Sequence, residues 1–155
     1  MTNLIRIDPA TGVGSLVQPI LVASATAYQG LSLGPDGLLY GITNIPKSTL
    51  RTINPLTGAE NVIGLLSATD RKIEALEWAY GENDPKITLP GVPATWTKDG
   101  CLFAFSDAFD EFMVVNPSTG AYRVYDCAFK VTDAEGLAFF TRRFDPRAPV
   151  DEGFD

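Results

Sequence analysis

The sequence predicts an all-β fold assembled from repeats, and three observations carry that prediction. One short turn occurs three times, as Asp8-Pro9-Ala10-Thr11-Gly12, Asn54-Pro55-Leu56-Thr57-Gly58 and Asn116-Pro117-Ser118-Thr119-Gly120. Each copy follows a β-rich run, namely Leu4-Ile5-Arg6-Ile7, Leu50-Arg51-Thr52-Ile53 and Phe112-Met113-Val114-Val115, and precedes another. The 14 glycines and 11 prolines fall mostly between apolar runs, as short strands joined by tight turns require.

The chemistry of the turn explains its reuse. Asp or Asn opens it because a short side-chain oxygen accepts hydrogen bonds from backbone amides further on. Proline then sets φ near the value of the first central position of a type I turn. The closing glycine takes the positive φ of a hairpin loop with a bulge. Each strand, turn and following strand therefore make one β-hairpin.

In chain order, residues 4–7 form a strand and 14–17 its hairpin partner. A linker over residues 18–29 leads to the strand Gly30-Leu31-Ser32-Leu33, the turn Gly34-Pro35-Asp36-Gly37 and a strand over 38–42. A loop with Pro46 and Lys47 delivers the chain to the second hairpin, closed by residues 60–64. The same order then recurs: Glu74-Ala75-Leu76-Glu77-Trp78 matches Gln29-Gly30-Leu31-Ser32-Leu33, Lys98-Asp99-Gly100 matches Pro35-Asp36-Gly37, and 101–105 matches 38–42. The third hairpin is followed by residues 121–127 and by Glu135-Gly136-Leu137-Ala138-Phe139. From Thr141 the chain reads as a polar tail.

The turns set the period. Asn54 follows Asp8 by 46 residues and Asn116 follows Asn54 by 62, the excess of 16 lying between Trp78 and Lys98. A unit of about 45 residues holding four strands is the pattern of a β-propeller blade. The stretch Gly30-Leu31 … Pro35-Asp36-Gly37-Leu38-Leu39-Tyr40-Gly41-Ile42 … Leu50-Arg51-Thr52-Ile53-Asn54-Pro55-Leu56-Thr57-Gly58 resembles blades of the quinoprotein and NHL-repeat propellers. The resemblance covers the chain up to Phe140 and speaks to fold, since this superfamily hosts enzymes, lectins and scaffolds alike.

The expected architecture is thus an all-β propeller of four-stranded blades, about three per chain: a partial blade over 1–17, a blade over 30–66, a blade over 73–127 with an insertion at 79–98, and a final inner strand at 135–140. Residues 141–155 form the tail. About three blades do not close a ring when propellers hold ~4–8, so completion by oligomerisation is expected. A homodimer is the simplest closure, with Arg142, Arg143 and Phe144 of the tail as candidates for self-association.

Composition narrows the function classes. There are 19 acidic and 12 basic residues, a formal charge of −7, which argues against nucleic acid or an anionic membrane as partner. Histidine is absent, which removes a Ser-His-Asp triad, a Cys-His pair and a histidine zinc site within one chain. Cys101 and Cys127 have no metal-ligand spacing and are expected as buried free thiols. No apolar run is long enough to span a membrane and no signal peptide is visible, so the expected location is the cytoplasm or a virion.

The expected function is a non-enzymatic structural or binding module that presents its loops to a protein or a glycan, such as an accessory or decoration protein of a virus. Trp96 and Tyr80 in the insertion are candidate contacts if exposed; otherwise the insertion packs down onto its blade. Trp78 continues the apolar alternation and belongs to the core. The insertion joins the first two strands of its blade, which places it on the face of the Asp/Asn-Pro-Xaa-Thr-Gly turns. Asp107, Asp110 and Glu111 read as a solvated acidic loop. No cofactor is expected.

The rival reading is a Ca²⁺-dependent hydrolase or lactonase. Gln29, Glu74 and Glu135 open the inner strands, where facing carboxylates would supply oxygen ligands or an acid–base pair. Glu135-Gly136-Leu137-Ala138 resembles strand openings of phytase-like and lactonase-like propellers, which implies a metal-ligand role for Glu135, and by the repeat for Glu74.

Overall fold

The computed structural model describes residues 2–20, 28–45, 47–66, 72–79 and 88–125. In chain order the strands are β1 (Thr2–Ile7), β2 (Gly14–Ile20), β3 (Tyr28–Leu33), β4 (Leu39–Thr43), β5 (Thr49–Ile53), β6 (Glu60–Leu65), β7 (Ile73–Ala79), β8 (Cys101–Ser106), β9 (Glu111–Val115) and β10 (Tyr122–Val124), with one 3-10 turn at Ala94–Trp96. All pairing is antiparallel. The strands form three sheets, a hairpin β1-β2 and two four-stranded sheets in which chain neighbours are sheet neighbours, β3-β4-β5-β6 and β7-β8-β9-β10. The all-β expectation holds. β2 runs on to Ile20 and β3 starts at Tyr28, so the linker is shorter than expected.

The three turns are built alike. Asp8, Asn54 and Asn116 each accept a hydrogen bond through Oδ1 from the amide two residues on, Ala10, Leu56 and Ser118, all at 2.9 Å. Gly12, Gly58 and Gly120 take φ of 70°, 69° and 75° and donate to the opening residue's carbonyl at 2.8, 2.8 and 2.9 Å. The threonine adds a bond that sequence reasoning missed: Thr11, Thr57 and Thr119 accept through Oγ1 from the amides of Val13, Ala59 and Ala121 at 3.4, 3.3 and 3.2 Å. Most of the amides in and just after each turn are thus satisfied locally.

The two four-stranded sheets pack face to face, with β3 beside β7. Tyr40, Ile42 and Leu50 of the first sheet meet Leu76, Trp78, Leu102, Met113 and Val115 of the second in one buried cluster. Alternation explains the choice of side chains: cross-strand partners share a face, and Tyr40 and Ile42 point one way while Leu39 and Gly41 point the other. The Tyr40 and Trp78 rings meet edge to face, centroids 5.2 Å apart at 76°, worth about 0.5–1.5 kcal/mol beyond burial. Burying each large side chain contributes about 1.5–3 kcal/mol, so this cluster outweighs any single hydrogen bond between the sheets.

Polar bonds fix the register of that packing. The Asn44 side chain acts as a backbone surrogate: Nδ2 donates to the Ile73 carbonyl at 3.0 Å, and Oδ1 accepts from the Ile73 amide at 3.1 Å and from Ser48 Oγ at 3.1 Å. Ser32 Oγ accepts from the Trp78 amide at 2.9 Å. At the outer strands the backbones touch, and a Cβ on Gly64 would lie 2.1 Å from the Thr119 carbonyl oxygen. Only glycine fits there.

The other face of β3–β6 carries a polar row. Glu60 accepts from the Tyr28 hydroxyl and, at 2.6 Å, from Arg51 Nη1, while Arg51 Nε donates to Thr43 Oγ1 at 3.1 Å. One residue from each strand joins the row. Partial burial and the Glu60 carboxylate raise the Tyr28 hydroxyl well above its usual pKa.

Candidate functional site

The sheet packing brings three loops together on one edge of the molecule. Residues 34–38 link β3 to β4, residues 94–100 precede β8, and the 116–120 turn links β9 to β10. Between them lies a cleft of about 180 Å³ whose lining includes Tyr40, Trp78, Trp96, Thr95, Asp36 and Ser118, together with Lys98 and Asp99.

Each lining group is held by its own loop. Asp36 accepts through Oδ1 from the Leu38 amide at 3.1 Å and through Oδ2 from the Tyr40 hydroxyl at 3.0 Å, so its carboxylate ties the turn to the ring beneath. Lys98 Nζ stands 3.3 Å from Asp99 Oδ2, both side chains largely exposed, a pair worth little to stability. Trp96 closes the 3-10 turn and is half-buried. It packs with Leu89 and Val92 against Ala79, Cys101, Phe103 and Val114 on the outer face of the second sheet. The Arg123 guanidinium lies 5.9 Å from the Trp96 ring centroid, within cation–π range.

The described part of the insertion therefore does two things. It covers the outer face of β7–β10, and it brings Trp96 into the lining of the cleft. Thr95, Trp96 and Lys98 of the insertion line the same cleft as Pro117 and Ser118 of the third turn. Trp78 is core, as the alternation indicated.

Other candidates fall elsewhere. Glu74 is the second residue of β7 and half-buried; among the described residues no three His, Cys, Asp or Glu side chains gather as a metal site. Glu135, Tyr80, Cys127, Arg142, Arg143 and Phe144 lie outside the described residues. Asp107, Asp110 and Glu111 sit at the β8–β9 turn, where Asp110 takes a φ of 51°. Cys101 is a buried free thiol whose pKa burial pushes up to about 12, so it stays protonated at neutral pH. Among the described residues no helix is long and apolar enough to cross a membrane.

Sequence reasoning missed Tyr40, Thr95 and Ser118, and read Asp36, Lys98 and Asp99 only as turn residues. Their one shared signal was position: all lie in or beside loops that the repeat places on one edge.

At about 180 Å³ the cleft is below the ~300–1,000 Å³ of drug-sized ligand sites. It suits one projecting group, a side chain or a single sugar ring, met by aromatic edges, carboxylates and hydroxyls. Comparison of the chain with protein families, with characterised proteins and with solved structures finds no match.

Proposed function

We propose that this chain is a non-enzymatic, self-associating structural and binding module: β-propeller-type blades that complete a ring with a second copy and present the loop edge around Trp96 to a protein or glycan. The observation that carries the reading is the strand inventory, two full four-stranded antiparallel meanders packed on each other and, before them in the chain, a hairpin of two strands. A lone two-stranded hairpin is marginal in water, and β1-β2 leaves Ile5, Ile7 and Leu16 exposed on one face. More sheet laid against it would bury them.

Light scattering behind a sizing column tests the assembly. The expected mass is twice the 16.7 kDa of one chain; a monomer at all concentrations contradicts self-association. A glycan array and capture of protein partners, run with wild type and Trp96→Ala, test the loop edge. The expected result is specific binding lost in the variant, and binding that survives it removes Trp96 from the contact.

A further inference from the structure

The two four-stranded sheets use matching positions differently. Leu76 and Trp78 of β7 are 3% and 4% exposed, because β3–β6 covers them. Their repeat counterparts on β3, Leu31 and Leu33, are 43% and 55% exposed. Both pairs lie on the same side of their sheets: Leu31 and Leu33 pair with Gly41 and Leu39 on the face turned away from β7–β10. That face continues over Arg51, Ile53 and Val62, the counterparts of Met113, Val115 and Val124; its middle is already covered at Ile53, 0% exposed, so the open part is the β3 edge at Leu31 and Leu33, with Val62 at the far side.

From this we infer that the Leu31–Leu33 face of β3 is the docking surface for a second copy of this chain, whose inner strand takes the place that β3 takes against β7. The inference rests on the self-association proposed above and names its surface. The interface between the two described sheets is the pattern: a four-stranded sheet of this sequence type already packs on this kind of face, so the fitting occupant is another sheet of the same kind. The hairpin β1-β2 corresponds to the outer two strands of such a sheet, and Glu135-Gly136-Leu137-Ala138-Phe139 repeats the inner-strand sequence Gln29-Gly30-Leu31-Ser32-Leu33 beyond the last four-stranded sheet. That segment of one copy, placed beside the hairpin of the other, brings the apolar side chains of a matching sequence to Leu31 and Leu33.

The polar row on this face is already mostly covered, the Arg51 and Glu60 side chains being 20% and 10% exposed, and is compatible with full burial. Glu60 is engaged by Tyr28 and Arg51, and Arg51 also by Thr43, so covering the row strands no lone charge, which is what makes buried ions costly.

Sedimentation velocity over a dilution series of wild type, the double variant Leu31→Asp/Leu33→Asp, and Leu56→Asp tests the surface. Leu56 is an exposed leucine of the 54–58 turn and controls for loss of surface apolarity. The expected result is a wild-type dimer, a monomeric double variant with unchanged far-UV circular dichroism, and a control that dimerises like wild type. A folded double variant that dimerises normally overturns the inference and leaves self-association standing; a wild type that never associates overturns both. Should the double variant fail to fold, Leu33→Ser alone is expected to weaken the dimer about tenfold, and undiminished association would overturn the surface.

Discussion

Leu33 and Trp78 hold one place in two copies of the same unit, yet one faces solvent and the other lies under a neighbouring sheet. Their strands show the same alternation and their loops the same turn chemistry. What differs is the cover. An alternating strand states that one of its faces is apolar; which element buries that face is decided by the order in which sheets stack. The two outer faces make the same point. That of β7–β10 is capped by Leu89, Val92 and Trp96 from the long loop before β8, whereas the short 34–38 loop of the first sheet supplies no such cap.

The largest test of this comparison is at the contact between the sheets. Gly64→Val puts a side chain where even a Cβ meets the Thr119 oxygen. It is expected to cost about 3 kcal/mol, read as a lower urea midpoint, with both sheets melting together because they share one core. Separate melting would mean that the sheets are independent units.

Asn44→Ala comes next. It removes both bonds to Ile73 and the bond from Ser48, and an expected loss of about 2–3 kcal/mol follows from leaving buried groups unpaired. A cost near zero in urea melts would show that apolar packing alone sets the register. Ser32→Ala strips the acceptor from the Trp78 amide and is expected to cost about 1–2 kcal/mol, with a change in the near-ultraviolet signal of Trp78 as the local readout.

How much of this was legible depends on distance along the chain. The turns were, because Asp8, Thr11 and Gly12 complete their bonds within a few residues, and the strands on either side followed. Asn44 read as part of a loop, since its partner Ile73 lies 29 residues away. Ser32 read as one residue of a small strand, since Trp78 lies 46 residues away. The cleft was half legible. Trp96 stood out as an aromatic in an insertion, but its half-burial and its meeting with Asp36 and Ser118 arise only when the sheets stack.

Smaller effects separate the three turns and the one described thiol. Cys101, buried with its pKa raised to about 12, is expected to react with a thiol reagent only on unfolding; fast labelling of the native chain at Cys101 would show that the cap over β8 opens. Asp8 differs from Asn54 and Asn116 in being ionisable. The bond from the Ala10 amide, then the Thr11 hydroxyl, holds its carboxyl below 3.8. A depressed folded pKa means stabilisation that is present above 3.8 and lost as pH falls through the lower folded value. The Ala10 amide resonance is therefore expected to shift in that acid window while those of Leu56 and Ser118 stay put; three equal shifts would remove the carboxylate from the explanation.

Docking of a second copy on the β3 face is read most directly by solvent paramagnetic relaxation at leucine methyls, compared at high and low protein concentration. Leu31 and Leu33 are expected to be shielded when the chain is concentrated and exposed on dilution, while Leu76 and Leu102 are shielded at both. Equal exposure of Leu31 and Leu33 at every concentration would contradict it, and would mean that this face of the first sheet receives no second copy.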